Sequence, residues 1–377
     1  MVGRAGGLSG GARSGRPAVI VAVLALLAAL VAGLTGCSPG VGFSGPDAAT
    51  PSPGSSATGS SPGSSSGSSP ASSFGSSAAG SSAGATGSAA AAAAPDWVAS
   101  ALADNPVWEL PGVQVRHADE GAQTGEVAVV SNLPADKGAE LSAAGAQALA
   151  AVRSAWRRPW NSRLLIVAPA DRAQWARVAG RTGASAATST GGGETPAPTD
   201  EVAPAMTVPG ADGSGVVVLD PVAWESATGQ GRRALVIHEA VHVAVRADPT
   251  VSGAGTQAAE APQAGAPAWL SEGFAQWVAY EAVGVGPDVV AGDFLAQVRA
   301  HGPPEHLPEQ ADFEGPVSSR LDAYAGAWLA CRTLAQRAGA QAPRVAMEAG
   351  SVRAAGLDNG ALTRAWQADL RRLAEAG

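Results

Sequence analysis

The pentapeptide His238-Glu239-Ala240-Val241-His242 sets two imidazoles four residues apart, with a carboxylate beside the first. On an α-helix, residues i and i+4 share a face, so both rings can point at one metal ion. Glu239 sits one step round, better placed to reach a water on that ion than to ligate it. A catalytic zinc takes three protein ligands and keeps a fourth position for water. The metal lowers the pKa of that water, and a nearby carboxylate takes its proton. The flanking residues are almost all apolar: Ala234, Leu235, Val236 and Ile237 before, Val243, Ala244 and Val245 after. They predict a buried helix. Unpaired polar groups are costly in such a helix, and a metal ion is the simplest partner for two histidines and a glutamate.

Two residues compete to be the third ligand. Asp248 stands where the metzincin pattern HExxHxxGxxH, in some variants ending in Asp, carries its last ligand. That pattern wants glycine at position 245 for a sharp turn, and Val245 is β-branched and poor at positive φ. Met206 comes too early and Met347 very late for a Met-turn. Asp248 precedes Pro249 and reads equally as a helix terminator. The other choice is Glu272, within Pro267-Ala268-Trp269-Leu270-Ser271-Glu272-Gly273-Phe274-Ala275.

The pairing of HEAVH with this later segment resembles the gluzincins, the thermolysin-like branch of zinc peptidases. It is most similar to peptidase MA-like domains, whose P-x-W-L-x-E-G-x-A segment carries the third ligand. The resemblance implies zinc on His238, His242 and Glu272, with Glu239 as the general base of peptide hydrolysis. It also implies that the residue four places after Glu272 orients the first histidine. That residue is Gln276, where relatives more often have Asp; an amide can still accept from an imidazole N–H. The interval from His242 to Glu272 is longer than usual, and its Gly/Ala/Gln/Pro composition reads as an inserted surface loop. By the same analogy, residues 215–219 are expected to be the sheet edge that binds extended substrate by β-addition. The GxMEN segment of gluzincin aminopeptidases does not precede HEAVH.

Hydrolysis of an amide also needs a group to steady the oxyanion. The chain has two tyrosines. Tyr280 lies two helical turns beyond Glu272, about 12 Å along the axis. Tyr324 is expected near a helix start, facing the metal, and is the candidate, with a packed core aromatic as the alternative reading. His301 and His306 flank a Gly-Pro-Pro-Glu loop and are weaker candidates for a proton donor.

The N-terminus carries a separate signal. Arg4, Arg13 and Arg16 precede an apolar run over 18–34, followed by Leu34-Thr35-Gly36-Cys37. This is the pattern of a secretory signal, and its end resembles the bacterial lipobox. The resemblance implies cleavage after residue 36, lipidation of Cys37 and anchoring to the outer face of the plasma membrane. An uncleaved single-pass anchor would give the same topology. Residues 38–94 are Ser, Gly, Ala and Pro almost throughout and cannot bury enough surface to offset their ordering entropy. With Cys37 they read as a tether spanning about 42 Å, reaching into a cell-wall layer. A single lysine, Lys137, among 24 basic residues fits a GC-rich, actinobacterial type of composition. The net charge of −8 argues against nucleic acid, which wants a basic stripe. With Cys37 lipidated, Cys331 has no disulfide partner and reads as a small core residue.

Residues 95–377 are expected to form one catalytic unit of α+β class: a small N-terminal mixed sheet with helices, then the histidine-bearing helix, then a mainly helical part. The patterns predict a hairpin of 113–117 with 126–130, a helix over 139–156, a strand over 163–168 and a helix capped by Asp171. Residues 180–212 read as a loop over the cleft, and 365–373 as the last helix. The sum is an expectation of an extracytoplasmic zinc peptidase acting on peptide or protein. The competing expectation is a catalytically silent zinc-containing protein that binds wall or protein.

Overall fold

The computed structural model describes residues 87–119, 125–180, 203–248, 251 and 265–377. The proposed signal, Cys37 and the tether up to residue 86 lie outside them. Two short helices come first, α1 (Gly87–Ala92) and α2 (Asp96–Ala101). The first of these falls within the stretch read as tether. Strands β1 (Gln114–Asp119) and β2 (Glu126–Ser131) pair antiparallel, as the hairpin reading expected. Helix α3 (Ala135–Trp156) then crosses to β3 (Arg163–Ala168), which lies parallel to β2. Asp171 caps α4 (Arg172–Val178) by accepting from the Gln174 N–H.

Strands β4 (Ala205–Pro209) and β5 (Gly215–Leu219) complete a mixed five-stranded sheet of order β1-β2-β3-β5-β4. The fold is α+β. The inner strands read as unbroken apolar runs because both sheet faces are covered. Val127, Val129, Leu164, Ile166, Val217 and Leu219 face the helices of the larger core. Their alternates, among them Val130, Leu165, Val167, Val216 and Val218, pack against α2 and α4.

Two expectations need correction here. Residues 215–219 are not the sheet edge: β5 lies between β3 and β4 and all five of its residues are buried. The edge beyond β5 is β4, inside the stretch read as a loop. Five residues rich in small and β-branched types, ending in proline, suit an edge strand but lack the length or alternation to announce one.

After β5 come α5 (Pro221–Ser226) and α6 (Gly229–Ala247), which carries the histidines. Thr228 starts α6 by accepting from the Gly231 N–H. The helix is buried almost all round, between the sheet and its helical neighbours. Gly215 lets it lie close: a Cβ there would sit 3.0 Å from Val243 Cγ2 and 3.4 Å from Val243 Cα. The remainder is helical: α7 (Ala268–Val283), α8 (Pro287–Val290), α9 (Gly292–His301), α10 (Gln310–Glu314), α11 (Val317–Ala338), α12 (Ala342–Ala349) and α13 (Asn359–Ala376). Among the described residues, no helix is long and apolar enough to cross a membrane. Cys331 is buried in α11 as a core residue.

Candidate metal centre

Helices α6 and α7 meet where their chemistry lies. His238 and His242 come from successive turns of α6, and Glu272 from the second turn of α7. All three are buried and form a group able to hold a metal ion. Their donor atoms make a small triangle. His238 Nε2 and His242 Nε2 are 3.0 Å apart, and Glu272 Oε2 lies 3.3 Å from the first and 3.5 Å from the second. Ligand bonds of about 2.0–2.1 Å at tetrahedral angles set donor atoms about 3.3 Å apart. The three edges therefore fit one small ion. The three donor atoms lie close enough together to share one ion, and the residues fit the group that the spacing implied.

Glycine sets the crossing that brings Glu272 in. A Cβ on Gly273 would lie 2.3 Å from the Ala327 carbonyl oxygen and 2.7 Å from its carbon. Only glycine lets the backbone of α11 approach α7 so closely beside the ligand.

Charge reinforces the arrangement. Burial alone would raise the proton affinity of Glu272, but the His242 and His238 imidazoles beside it hold its carboxyl down at about 2. Burial works against a charged His242, yet the Glu272 carboxylate raises its pKa above the ordinary value. Glu239 is fully buried one step round the helix, outside the metal-fitting group. Burial pushes its pKa up, with His238, His242 and Thr207 offsetting part of the shift. Its Oε2 accepts a 2.7 Å hydrogen bond from the Thr207 hydroxyl, and its Oε1 has no partner among the described residues.

Two neighbours escaped the sequence reading. Thr207 stands on β4, 32 residues from Glu239 in the chain, and no local pattern links them. Arg246 follows His242 by one turn and Glu239 by two, which puts it on the same stripe of α6. Burial lowers its pKa and the Glu239 charge partly restores it. The i+4 and i+7 spacings were the available signal for this residue.

Other expected residues stand outside the metal-fitting group. Asp248 caps the C-terminus of α6 and pairs with Arg158 at 3.1 Å, well occupied as a helix terminator and outside the metal group. Gln276 is fully buried one turn past Glu272, but it makes no hydrogen bond to His238. His238 Nδ1 and both polar atoms of the Gln276 amide lack partners among the described residues. A neutral amide gains less from an imidazole N–H than a carboxylate would. Tyr324 is not near a helix start: α11 begins at Val317, and the ring is buried edge-to-face against Phe313 at 5.1 Å. The apolar register of α11 extends through a polar first turn that hid its start. Tyr280 packs edge-to-face on Trp328, and burial pushes its pKa well up. His301 is exposed at the end of α9, and His306 lines a separate cavity of about 350 Å³ with Phe294, Asp322 and Trp366. Comparison with protein-family models finds no match for the chain, and a search among curated proteins finds none.

Proposed function

We propose that the chain is a zinc-dependent peptidase of gluzincin type. The observation that carries this reading is a buried carboxyl, Glu239, that is not needed to hold the ion yet stands one residue from a ligand. A protein that used metal only for structure would gain nothing from burying an extra acid there, since the desolvation is unfavourable. His238, His242 and Glu272 would hold the zinc. Bound there, zinc acts as a Lewis acid and brings the pKa of water toward neutrality. Glu239 Oε1 takes the proton and returns it to the leaving amine, helped by the elevated proton affinity that burial confers.

The substrate reading rests on the edge strand. Strand β4 runs beside the Glu239 carboxyl and, among the described residues, no strand pairs with its outer edge, which suits an extended peptide. A lipid on Cys37 and the tether would place the reaction outside the plasma membrane, near wall material. A silent metal-holding binding protein is the second reading. It is favoured by Gln276, whose amide makes no hydrogen bond to His238 among the described residues.

The test is a comparison of the purified protein with its Glu239→Gln variant. One zinc per chain in both, with peptide cleavage lost at least about a hundredfold in the variant, supports the peptidase. Stoichiometric zinc without cleavage of any member of a mixed peptide library moves the reading to the binding protein. No bound zinc removes both.

A further inference from the structure

Thr207 occupies a position with two outlooks. The hydrogen bonds Asp220 N–H to Pro204 O (2.9 Å) and Gly210 N–H to Ser214 O (2.7 Å) mark the hydrogen-bonded pairs of the β4–β5 ladder. In an antiparallel pair these alternate with pairs that exchange no hydrogen bond. Thr207 opposes Val217, three residues from each marked pair, so it belongs to the second kind. Its backbone N–H and C=O therefore face away from β5, toward the side on which no described strand pairs. Its side chain points to the α6 side of the sheet: a Cβ on Gly215 would touch both Val243 Cγ2 (3.0 Å) and Thr207 Cγ2 (3.3 Å). There the hydroxyl donates to Glu239 Oε2 at 2.7 Å.

We propose that Thr207 is a positioning residue that holds the Glu239 carboxyl from the edge strand, so that one residue registers both the acid and a peptide docked on β4. This rests on the peptidase reading. A β-branched side chain has few χ1 states, so the hydroxyl is held stiffly by the ladder. Its bond occupies Oε2 and leaves Oε1 as the oxygen without a partner among the described residues. A buried carboxyl with one oxygen anchored cannot swing its free oxygen away from the reacting groups. The same backbone unit would pair with substrate, so a shift of the docked peptide and a shift of the acid occur together.

The experiment compares Thr207→Val and Thr207→Ser with the parent protein. Valine keeps the branch and volume and removes the donor; serine keeps the donor. Three quantities are read: bound zinc, kcat and KM on a cleaved peptide, and the infrared carboxyl band of Glu239 in metal-free protein, assigned by its loss in Glu239→Gln. Hydrogen bonds to ionisable groups correspond to about a 10- to 100-fold effect. The expected result for Thr207→Val is unchanged zinc, a kcat loss of that size, KM within about twofold, and a shifted band. Thr207→Ser should retain the band and stay within about threefold in kcat.

Unchanged kcat and band in Thr207→Val would overturn the proposal. So would an equal loss in Thr207→Ser, or loss of zinc in Thr207→Val, since either reports a packing role. If the parent holds zinc but cleaves no peptide, the peptidase reading fails while the band still decides the anchoring. A shift in valine and none in serine then sustains it, and no shift in either overturns it.

Discussion

His242 and Glu272 bias each other's protons in opposite directions. The carboxylate raises His242 above its ordinary pKa, and the imidazoles hold Glu272 at about 2. In metal-free protein the His242 contribution to stability is complete below the unfolded value of 6.5 and is lost as pH rises through the raised folded value. The Glu272 contribution is complete above 4.5 and is lost as pH falls toward 2. The ion pair therefore helps the empty site most between those two unfolded values. Metal binding runs the other way on the alkaline side, because a metal must displace the His242 proton but meets none on Glu272. Apparent zinc affinity is expected to fall about tenfold per pH unit below the raised His242 pKa. Competition against a chromophoric chelator from pH 5.5 to 8 measures this, and a flat profile would show that His242 is no ligand.

Between elements, the contact that decides the site is the crossing of α7 on α11. A methyl on Gly273 meets the Ala327 backbone at 2.3 Å, and backbone cannot rotate aside as a side-chain end can. Gly273→Ala is expected to cost about 1–3 kcal/mol by overpacking and to weaken zinc binding through its neighbour Glu272. Gly292→Ala is the control, since open space surrounds that position. Denaturant unfolding and zinc titration of both variants check the pair. This crossing also marks what the sequence could convey. The i, i+4 spacing of the histidines and the apolar runs of β2, β3 and β5 are local patterns, and they were legible. So was the Glu-Gly pair at 272–273, though only through a resemblance and not through its cause, which lies on another helix. Strand β4 was not legible because its identity comes from its ladder with β5, not from its own five residues. Thr207 was hidden for the same reason, its partner being 32 residues away. Tyr324 was placed at a helix start because the Ser318-Ser319-Arg320 turn that opens α11 has no side-chain cap to announce it.

At the scale of the molecule, the metal-fitting group joins the sheet-packed half to the helical half. Helix α6 packs against the sheet, while α7 belongs with α11 and its neighbours. Other bonds span the same division. Arg158, just past α3, pairs with Asp248 at the end of α6 and with Glu348 on α12. An ion held by His238, His242 and Glu272 adds a cross-link at the centre of this arrangement, and it binds only where the three donors converge. Binding to the folded state alone stabilises it by about 4 kcal/mol when free metal is a thousand times its Kd. For a domain of about 280 residues each kcal/mol corresponds to about 2 °C. Chelation should therefore lower Tm by about 7–8 °C at that zinc level. Scanning calorimetry with and without chelator measures the difference. Glu272→Gln should abolish the difference by removing a ligand. Glu239→Gln should preserve it, because the amide spares all three donors and still accepts from Thr207. A chelator effect that survives Glu272→Gln would mean that the stabilising ion sits elsewhere. One lost in Glu239→Gln would make Glu239 part of the metal-holding set and take from it the role of base.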